Sequence, residues 1–305
     1  RQMLVSFGIT DKTVCNWMRW SRCRVEDNMI NKRPEHGRGW HKMPMKQHGS
    51  MLDLALDMPE LSPRDVAITY TDEQSYFISE STVYRLLKAH DLITSPAYIL
   101  MMASDKFQQP TVRVNEMWQT DFTYLKVTGW GWYFLLTILD DFSRYIIAWK
   151  LYTTMEASDV KDLLEQAISE TGATGVRVHH RPRLLSDNGP CFVAKERQEY
   201  LEEHGMKHTR GRPYHPQTQG KIERYHRTMK NVVKLEHYYY PWELEAALRN
   251  FVAYYNNERY HESLDNVTPA DVYFGRQYEI VTERDRIKKR TMRKRKKEYL
   301  AARAA

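Results

Sequence analysis

The middle of the chain alternates apolar segments typical of strands with amphipathic segments typical of helices. Three segments rich in β-branched and aromatic residues, EMWQTDFTYLKV, WGWYFLLTILDDF and RYIIAWKLYTT, begin at residues 116, 130 and 144. Gly129 lies between the first two segments and Gly131 is near the start of the second, which predicts a hairpin followed by a third strand. Helix-like and strand-like segments then alternate along the chain. This pattern predicts a mixed α/β domain over residues 113–236.

A pair of helical segments before this domain has the signals of a helix-turn-helix, predicted over residues 51–94. Ser62 is a predicted N-cap, Pro63 takes the first helical position and Asp65 completes a capping box. The second helix is predicted to begin at Ser79. Its predicted outward residues, which suit DNA phosphates or base edges, are Ser81, Thr82, Arg85 and Lys88. A purely structural helical pair is the alternative.

The remaining segments complete the predicted domain organisation. Residues 1–20 resemble the second half of a helix-turn-helix, or a single amphipathic helix of another fold. Few apolar residues and several Gly and Pro residues predict linkers over 21–50 and 95–112. A C-terminal helical extension is predicted over 237–282 and a basic tail over 283–305. The tail is either a solvated charge run or a contact with a phosphate backbone.

The charge balance favours a polyanionic partner. Lys and Arg number 46 against 39 Asp and Glu, a formal net charge of +7. Such a balance suits nucleic acid, although it does not determine the fold. Three cysteines without a Cys-x-x-Cys pair suit a reducing compartment. The sequence has neither a stretch of transmembrane length nor a signal-peptide pattern, so we expect a cytoplasmic protein without a membrane partner.

Three carboxylates stand out against their surroundings. Asp121 lies within an apolar predicted strand, Asp187 ends a second one, and Glu223 lies in the first turn of a helix. A buried carboxylate is costly unless it is paired or binds a metal ion. Phosphoryl transfer by two metal ions needs carboxylates from different elements, because hard divalent cations prefer oxygen ligands. The intervals between these residues contain 65 and 35 residues.

Four segments resemble the catalytic segments of bacterial insertion-sequence transposases, whose core is related to retroviral integrases. They are NEMWQTDFTYL, LLSDNGPCF, PYHPQTQGKIERYHRTMK and TPADVYFG, within roughly residues 60–276. The resemblance implies a ribonuclease-H-like fold with Asp121, Asp187 and Glu223 as catalytic metal ligands for two Mg²⁺ or Mn²⁺ ions. It also implies cleavage that exposes DNA 3′-hydroxyls, their transfer into target DNA, and at least a homodimer on DNA, without a small-molecule substrate.

Polar residues near Glu223 are the predicted DNA contacts of this site. Glu223 itself has a simpler alternative role, an intrahelical ion pair with Arg227. Asp140 and Asp141 are two further carboxylates that could be mistaken for metal ligands. We expect Asp141 instead to cap a turn with Ser143. The predicted phosphate-binding and loop residues are His215, Gln217, Lys221, Arg224, Arg227 and Lys230.

The sequence therefore predicts a polynucleotidyl transferase that cleaves and joins the DNA of a mobile element. Two other functions remain open at this point. One is a helix-turn-helix DNA-binding protein with an inactive or truncated transposase core. The other is a ribonuclease-H-like nuclease that cleaves without joining.

Overall fold

The computed structural model describes residues 43–90, 92–93, 111–172, 181–187, 195–210 and 220–304. The helix-turn-helix predicted over residues 1–20 lies outside these ranges. Of the described residues, 43–89 and 287–304 form one compact unit, and residues from His90 to Arg286 form a second. We call them the helical unit and the sheet unit. None of the described helices is both long and apolar enough to cross a bilayer.

The helical unit contains α1 (Lys46–Asp57), α2 (Pro63–Gln74) and α3 (Glu80–Ala89). Helices α2 and α3 lie within the range 51–94 in which the helix-turn-helix was predicted, and their DNA-binding role stays a prediction. Ser62 accepts a hydrogen bond from the backbone of Asp65 at 3.2 Å, with Pro63 in the first turn of α2. The hydroxyl of Ser62 also donates to the Asp65 carboxylate at 2.7 Å, so these two side chains bind each other.

Helix α1 begins at Lys46, within the range 21–50 that the sequence predicted as a linker. Polar residues occupy its first turns, so the apolar pattern begins only near Met51, which is fully buried. Tyr70 of α2 stabilises these turns: its hydroxyl donates to Gln47 at 2.7 Å and lies 2.8 Å from the hydroxyl of Ser50. These contacts are tertiary and do not appear in the local pattern.

The sheet unit is built on five strands in the order β3-β2-β1-β4-β5. The antiparallel strands β1 (Met117–Val127), β2 (Gly131–Asp140) and β3 (Ile146–Tyr152) follow each other, and β4 (Arg183–Ser186) and β5 (His208–Arg210) run parallel to β1. Strands β1, β2 and β3 lie within the three predicted strand segments, and β4 and β5 lie in the region where alternating strand-like and helix-like segments were predicted. Gly129 and Gly131 have φ angles of +82° and +95°, which the β1–β2 turn requires and glycine tolerates best.

Helices cover both faces of the sheet because alternate strand residues point to opposite sides. Leu136 and Ile138 pack in one cluster with α4 (Ala157–Thr171) and α5 (Lys195–Glu203). Leu135 and Leu139 pack in another with α6 (Gly220–Val233) and α7 (Pro241–Asn257). The first turn of α6 is thereby fixed against the sheet.

The C-terminal part continues with a short 3-10 helix, Glu262–Leu264, then α8 (Pro269–Tyr273) and α9 (Gln277–Ala304). The boundary predicted between residues 282 and 283 lies inside α9. The charge run marked a change in composition and not a change in structure. Buried residues at i, i+4 and i+8, Ile287, Thr291 and Arg295, give the charged part of α9 an inward side.

Candidate active site

Strand β1 and helix α6 bring Asp121 and Glu223 to one cleft of about 740 Å³. Odd-numbered residues of β1, such as Leu125 and Val127, pack on the α6 side of the sheet. Asp121 shares this side and opposes Thr137 on β2. The residues that line the cleft are Asp121, Phe122, Thr123, Tyr124, Glu223, His226, Arg227, Lys230, Asn231, Lys234 and Leu235.

Asp187 lies directly after β4 and is exposed. The parallel register pairs Met117 with Arg183 and Gln119 with Leu185. Asp187 therefore follows the strand that pairs with β1, the strand that contains Asp121. Asp187 is not among the residues that line the cleft. Within the described ranges, no three His, Cys, Asp or Glu side chains are close enough to hold a metal ion.

The two cleft carboxylates interact unfavourably. Burial raises the pKa of Glu223, and the negative charge of Asp121 raises it further, while Arg227 and His226 act in the opposite direction. Burial also lowers the pKa of Lys230, and Lys234 adds to this effect, whereas Asp121 opposes it. The cleft thus combines two mutually repelling carboxylates with a row of cations along α6. A divalent cation between the carboxylates would remove their repulsion.

His226 belongs to the site although the sequence reasoning did not select it. Its Nδ1 lies 3.5 Å from the carboxylate of Asp121, and its side chain is buried. Among the described residues its Nε2 has no hydrogen-bond partner. The available signal was its position three residues after Glu223, which places both side chains on the same side of α6.

The four basic residues predicted as DNA contacts on α6 separate into two groups. Arg227 and Lys230 line the cleft together with Glu223, four and seven residues before them on α6. Lys221 instead donates to the carboxylate of Asp141 at 2.8 Å. Arg224 is outside the cleft lining, and its positive charge acts on Tyr255 and His261. The helical period explains the position of Lys221, because a residue two positions before Glu223 points to the opposite side of α6.

The predicted capping role of Asp141 is wrong, because its neighbour Asp140 fills it. The carboxylate of Asp140 accepts from the backbone and the hydroxyl of Ser143, at 2.8 and 2.6 Å. Burial raises the pKa of Asp140 to about 6 despite these bonds. Neither aspartate lines the cleft.

Asp141 is the centre of a buried network that supports the start of α6. It accepts from the hydroxyl of Thr111 at 2.6 Å, from the amide of Gln119 at 2.6 Å and from Lys221. The other end of the Gln119 amide accepts from the backbone of Ile222 at 3.1 Å. The residues on both sides of Ile222 are Lys221 and Glu223. The network therefore fixes the turn from which Glu223 projects.

Comparisons with known proteins agree with this architecture. Residues 111–216 match the family model described as integrase core domain, and residues 204–269 match a second model with the same description. This part of the chain is similar to integrase core domains. The two matches together span 111–269, which includes all five strands, Asp121, Asp187 and Glu223. The predicted α/β fold of the integrase type agrees with these matches.

Similar full-length proteins include two bacterial transposases. The chain is 29% identical over 189 residues to the transposase for insertion sequence element IS629 of Shigella sonnei, which covers 61% of this chain and 62% of that protein. It is 27% identical over 161 residues to the transposase for insertion sequence element IS904 of Lactococcus lactis, covering 52% and 60%. The matches thus span about six tenths of these relatives. The similarity to insertion-sequence transposases that the motifs predicted is confirmed.

A solved structure, the HTLV-2 integrase catalytic core domain in complex with magnesium, aligns with a TM-score of 0.42 and 22% identity. The alignment covers 53% of this chain and 98% of that one.

The other predicted DNA contacts lie outside the cleft. On α3, Arg85 and Lys88 are exposed. The guanidinium of Arg85 donates to the carbonyl of Ser81 at 2.9 Å, and the hydroxyl of Thr82 lies 2.8 Å from that of Ser79. Their DNA contacts stay a prediction. His215 and Gln217 lie outside the described residues.

Proposed function

We propose that this protein is a transposase that cleaves the DNA ends of a mobile element and joins them to target DNA. One observation carries the proposal: two carboxylates from different elements, Asp121 and Glu223, share a cleft with Arg227 and Lys230. Carboxylates suit metal-assisted phosphoryl transfer, and the neighbouring cations suit the phosphates of the substrate. The integrase core domain and the two transposase relatives support the same chemistry.

The residues of the cleft fit a divalent metal ion. Asp121 and Glu223 supply oxygen ligands, which Mg²⁺ and Mn²⁺ prefer, and Asp187 lies at the end of the strand next to Asp121. Two ions bound by these three residues would act as Lewis acids on the attacking and leaving oxygens. His226, whose Nδ1 faces Asp121, orients that carboxylate.

The cations of α6 bind DNA beside the carboxylates. Arg227 is exposed and suits bidentate contact with a phosphate, whereas Lys230 acts as a point charge. The ammonium of Lys230 lies 4.7 Å from the ring centroid of Tyr124, an exposed residue on β1. This cation–π contact keeps Lys230 at the cleft when DNA is absent.

The proposed partners are the element's ends and the target DNA. Joining two ends to one target requires two active sites, so the active form is at least a homodimer on DNA. The proposal includes neither a small-molecule substrate nor a membrane partner, and it places the reaction in the cytoplasm, where the DNA of a bacterial element is found.

Strand transfer tests the proposal directly. Labelled duplexes drawn from the DNA that flanks the coding sequence are incubated with supercoiled plasmid and Mg²⁺. Joined products are measured for the wild type, for Glu223→Gln and for Glu236→Gln, which removes an exposed carboxylate outside the cleft. We expect joining by the wild type and Glu236→Gln, and a loss of at least about 100-fold in Glu223→Gln, the scale of one lost transition-state contact.

Other outcomes support the alternatives. Equal joining by Glu223→Gln and the wild type removes Glu223 from the site. Metal-dependent cleavage without joining supports a ribonuclease-H-like nuclease. Binding of DNA without cleavage, in every metal tested, supports a DNA-binding protein whose core is inactive.

A further inference from the structure

The positive charge of this protein is concentrated in the part of α9 that belongs to the helical unit. Residues 287–304 contain nine Lys or Arg and one Glu, a net charge of +8. The whole chain has a net charge of +7, so the other 287 residues together carry −1. The net positive charge that the composition indicated is therefore located on one helix.

Buried polar contacts fix this helix to the turn between α2 and α3. The hydroxyl of Thr291 accepts from the backbone of Phe77 at 3.0 Å. The guanidinium of Arg295 donates to the hydroxyl of Tyr76 at 2.8 Å and to the carbonyl of Phe77 at 2.6 Å, and it lies over the Tyr76 ring. Thr291 and Arg295 are only 2% and 7% exposed. The basic helix is thus an integral part of the unit that contains the α2–α3 pair.

The opposite side of the same helix presents its charge to solvent. Lys289, Arg293 and Lys296 are exposed and spaced i, i+4 and i+7, on the side away from Thr291 and Arg295. Like charges four residues apart weaken a helix by a few tenths of a kcal/mol per pair. Lys289 and Arg293 form such a pair, as do Arg290 and Lys294. These like charges do not stabilise α9. We therefore interpret the exposed charges as suited to binding a negatively charged partner.

We infer that Lys289, Arg293 and Lys296 bind the phosphate backbone of double-stranded DNA independently of its sequence. The three residues span about 10 Å along α9, which matches about three phosphate steps of one strand. The helix that carries them is bound to the turn before α3, so backbone contacts and the predicted contacts of α3 belong to one unit. The inference rests on the proposed function only in taking DNA as the partner.

Salt-dependent binding of the full chain tests this inference. A labelled 20-base-pair duplex of random sequence is titrated without divalent metal, and affinity is measured by fluorescence anisotropy over a series of KCl concentrations. The variant carries Lys289→Gln, Arg293→Gln and Lys296→Gln. The matched control carries Lys161→Gln, Lys207→Gln and Arg249→Gln, three exposed residues of the sheet unit, and therefore has the same net charge.

Each lost phosphate contact reduces the slope of log affinity against log salt by about 0.9. We expect the α9 variant to lose about 2.7 of the wild-type slope, and the control to keep it. When salt rises from 0.05 to 0.2 M, the affinity of the wild type falls by a factor that is about 40 times larger than the factor for the α9 variant. Equal slopes for the two variants overturn the inference, as does a wild-type slope in the α9 variant.

The result is independent of catalysis. A protein that joins no DNA but shows the reduced slope in the α9 variant supports this inference and contradicts the proposed function. Circular dichroism of both variants checks that they are folded, and the α9 variant is expected to keep its helix because it loses a like-charge pair.

Discussion

The ammonium group of Lys221 lies 2.8 Å from the carboxylate of the buried residue Asp141, and also 2.8 Å from its backbone carbonyl. The two residues are 80 positions apart in sequence, and their contact fixes the first turn of α6 to the end of β2. Because Glu223 projects from that turn, the pair controls where one of the two cleft carboxylates lies.

Replacing Lys221 by Met tests this positioning role. The change leaves a buried charge without its cation, so we expect the free energy of unfolding to fall by about 3 kcal/mol. The control Lys207→Met, at an exposed position, changes it by less than about 0.5 kcal/mol. Urea denaturation measures both values.

The Mg²⁺ requirement of strand transfer distinguishes a positioning role of Lys221 from a purely structural one. Adding Asp141→Asn to Lys221→Met removes the buried charge and recovers part of the lost stability. We expect the Mg²⁺ concentration for half-maximal strand transfer to stay several-fold above that of the wild type in the double variant. A return to the wild-type Mg²⁺ requirement along with stability contradicts the positioning role.

If a divalent ion binds at the cleft, it stabilises the folded protein, and this stabilisation depends on Asp121. Mg²⁺ at 100 times its dissociation constant stabilises the folded state by about 2.7 kcal/mol, because it binds only that state. We expect the melting temperature of the wild type to rise with Mg²⁺, and that of Asp121→Asn to rise much less. In the control variant Glu236→Gln, whose substitution lies outside the cleft, we expect the same Mg²⁺-dependent increase in melting temperature as in the wild type. An equal increase in Asp121→Asn places the ion elsewhere.

Because of His261, we expect the free energy of unfolding to fall in acid. Burial lowers its pKa from 6.5 to about 3, and the positive charges of Arg259, Arg144 and Arg224 act in the same direction. Between these two pKa values the unfolded chain binds a proton that the folded chain does not. His261 therefore stabilises the fold fully above pH 6.5, and this stability is lost on acidification at about 1.4 kcal/mol per pH unit.

Urea denaturation between pH 5 and 8 measures this effect. We expect His261→Gln to have a shallower decrease of unfolding free energy below pH 6.5 than the wild type. The exposed residue His237, replaced by Gln, serves as control and leaves the decrease unchanged. Parallel curves for the wild type and His261→Gln exclude His261 as the source.

Arg295 is expected to hold α9 through the geometry of its guanidinium and not through its charge alone. Arg295→Lys keeps the charge but cannot donate to Tyr76 and Phe77 together. Bonds to charged groups contribute about 1.5–3 kcal/mol each, so we expect amide exchange at Phe77 to accelerate about 10-fold or more. Hydrogen-exchange mass spectrometry measures it, and Arg293→Lys, on the exposed side, leaves it unchanged. No acceleration in Arg295→Lys contradicts this role.

The elements that a local pattern determines were predicted well from the sequence. The five strands have apolar alternation or short buried runs, and α4 ends at Gly172, whose φ of +64° suits glycine. A carboxylate within an apolar strand is unusual and singled out Asp121, whereas its shared site with Glu223 was implied by the resemblance to transposases. Their metal-binding role stays a prediction, as does that of Asp187.

The features that depend on distant contacts were not predictable in this way. The sequence suggested a DNA contact for Lys221, whereas the structure pairs it with Asp141 across 80 residues. Asp140 and Asp141 are adjacent, and only the direction of the chain after β2 determines which one binds Ser143. The inclusion of α9 in the helical unit depends on Arg295 and Phe77, 218 positions apart.

That last separation gives the protein an order of assembly during translation. The sheet unit is continuous from His90 to Arg286, whereas the helical unit needs residues from both sides of it. At 5–20 residues per second, a ribosome takes roughly 10–40 s to progress from Phe77 to Thr291. During those seconds the nascent chain has α2 and α3 but not the helix that carries its positive charge. Each molecule therefore acquires the helix that we infer to bind DNA only after the whole sheet unit has been synthesised.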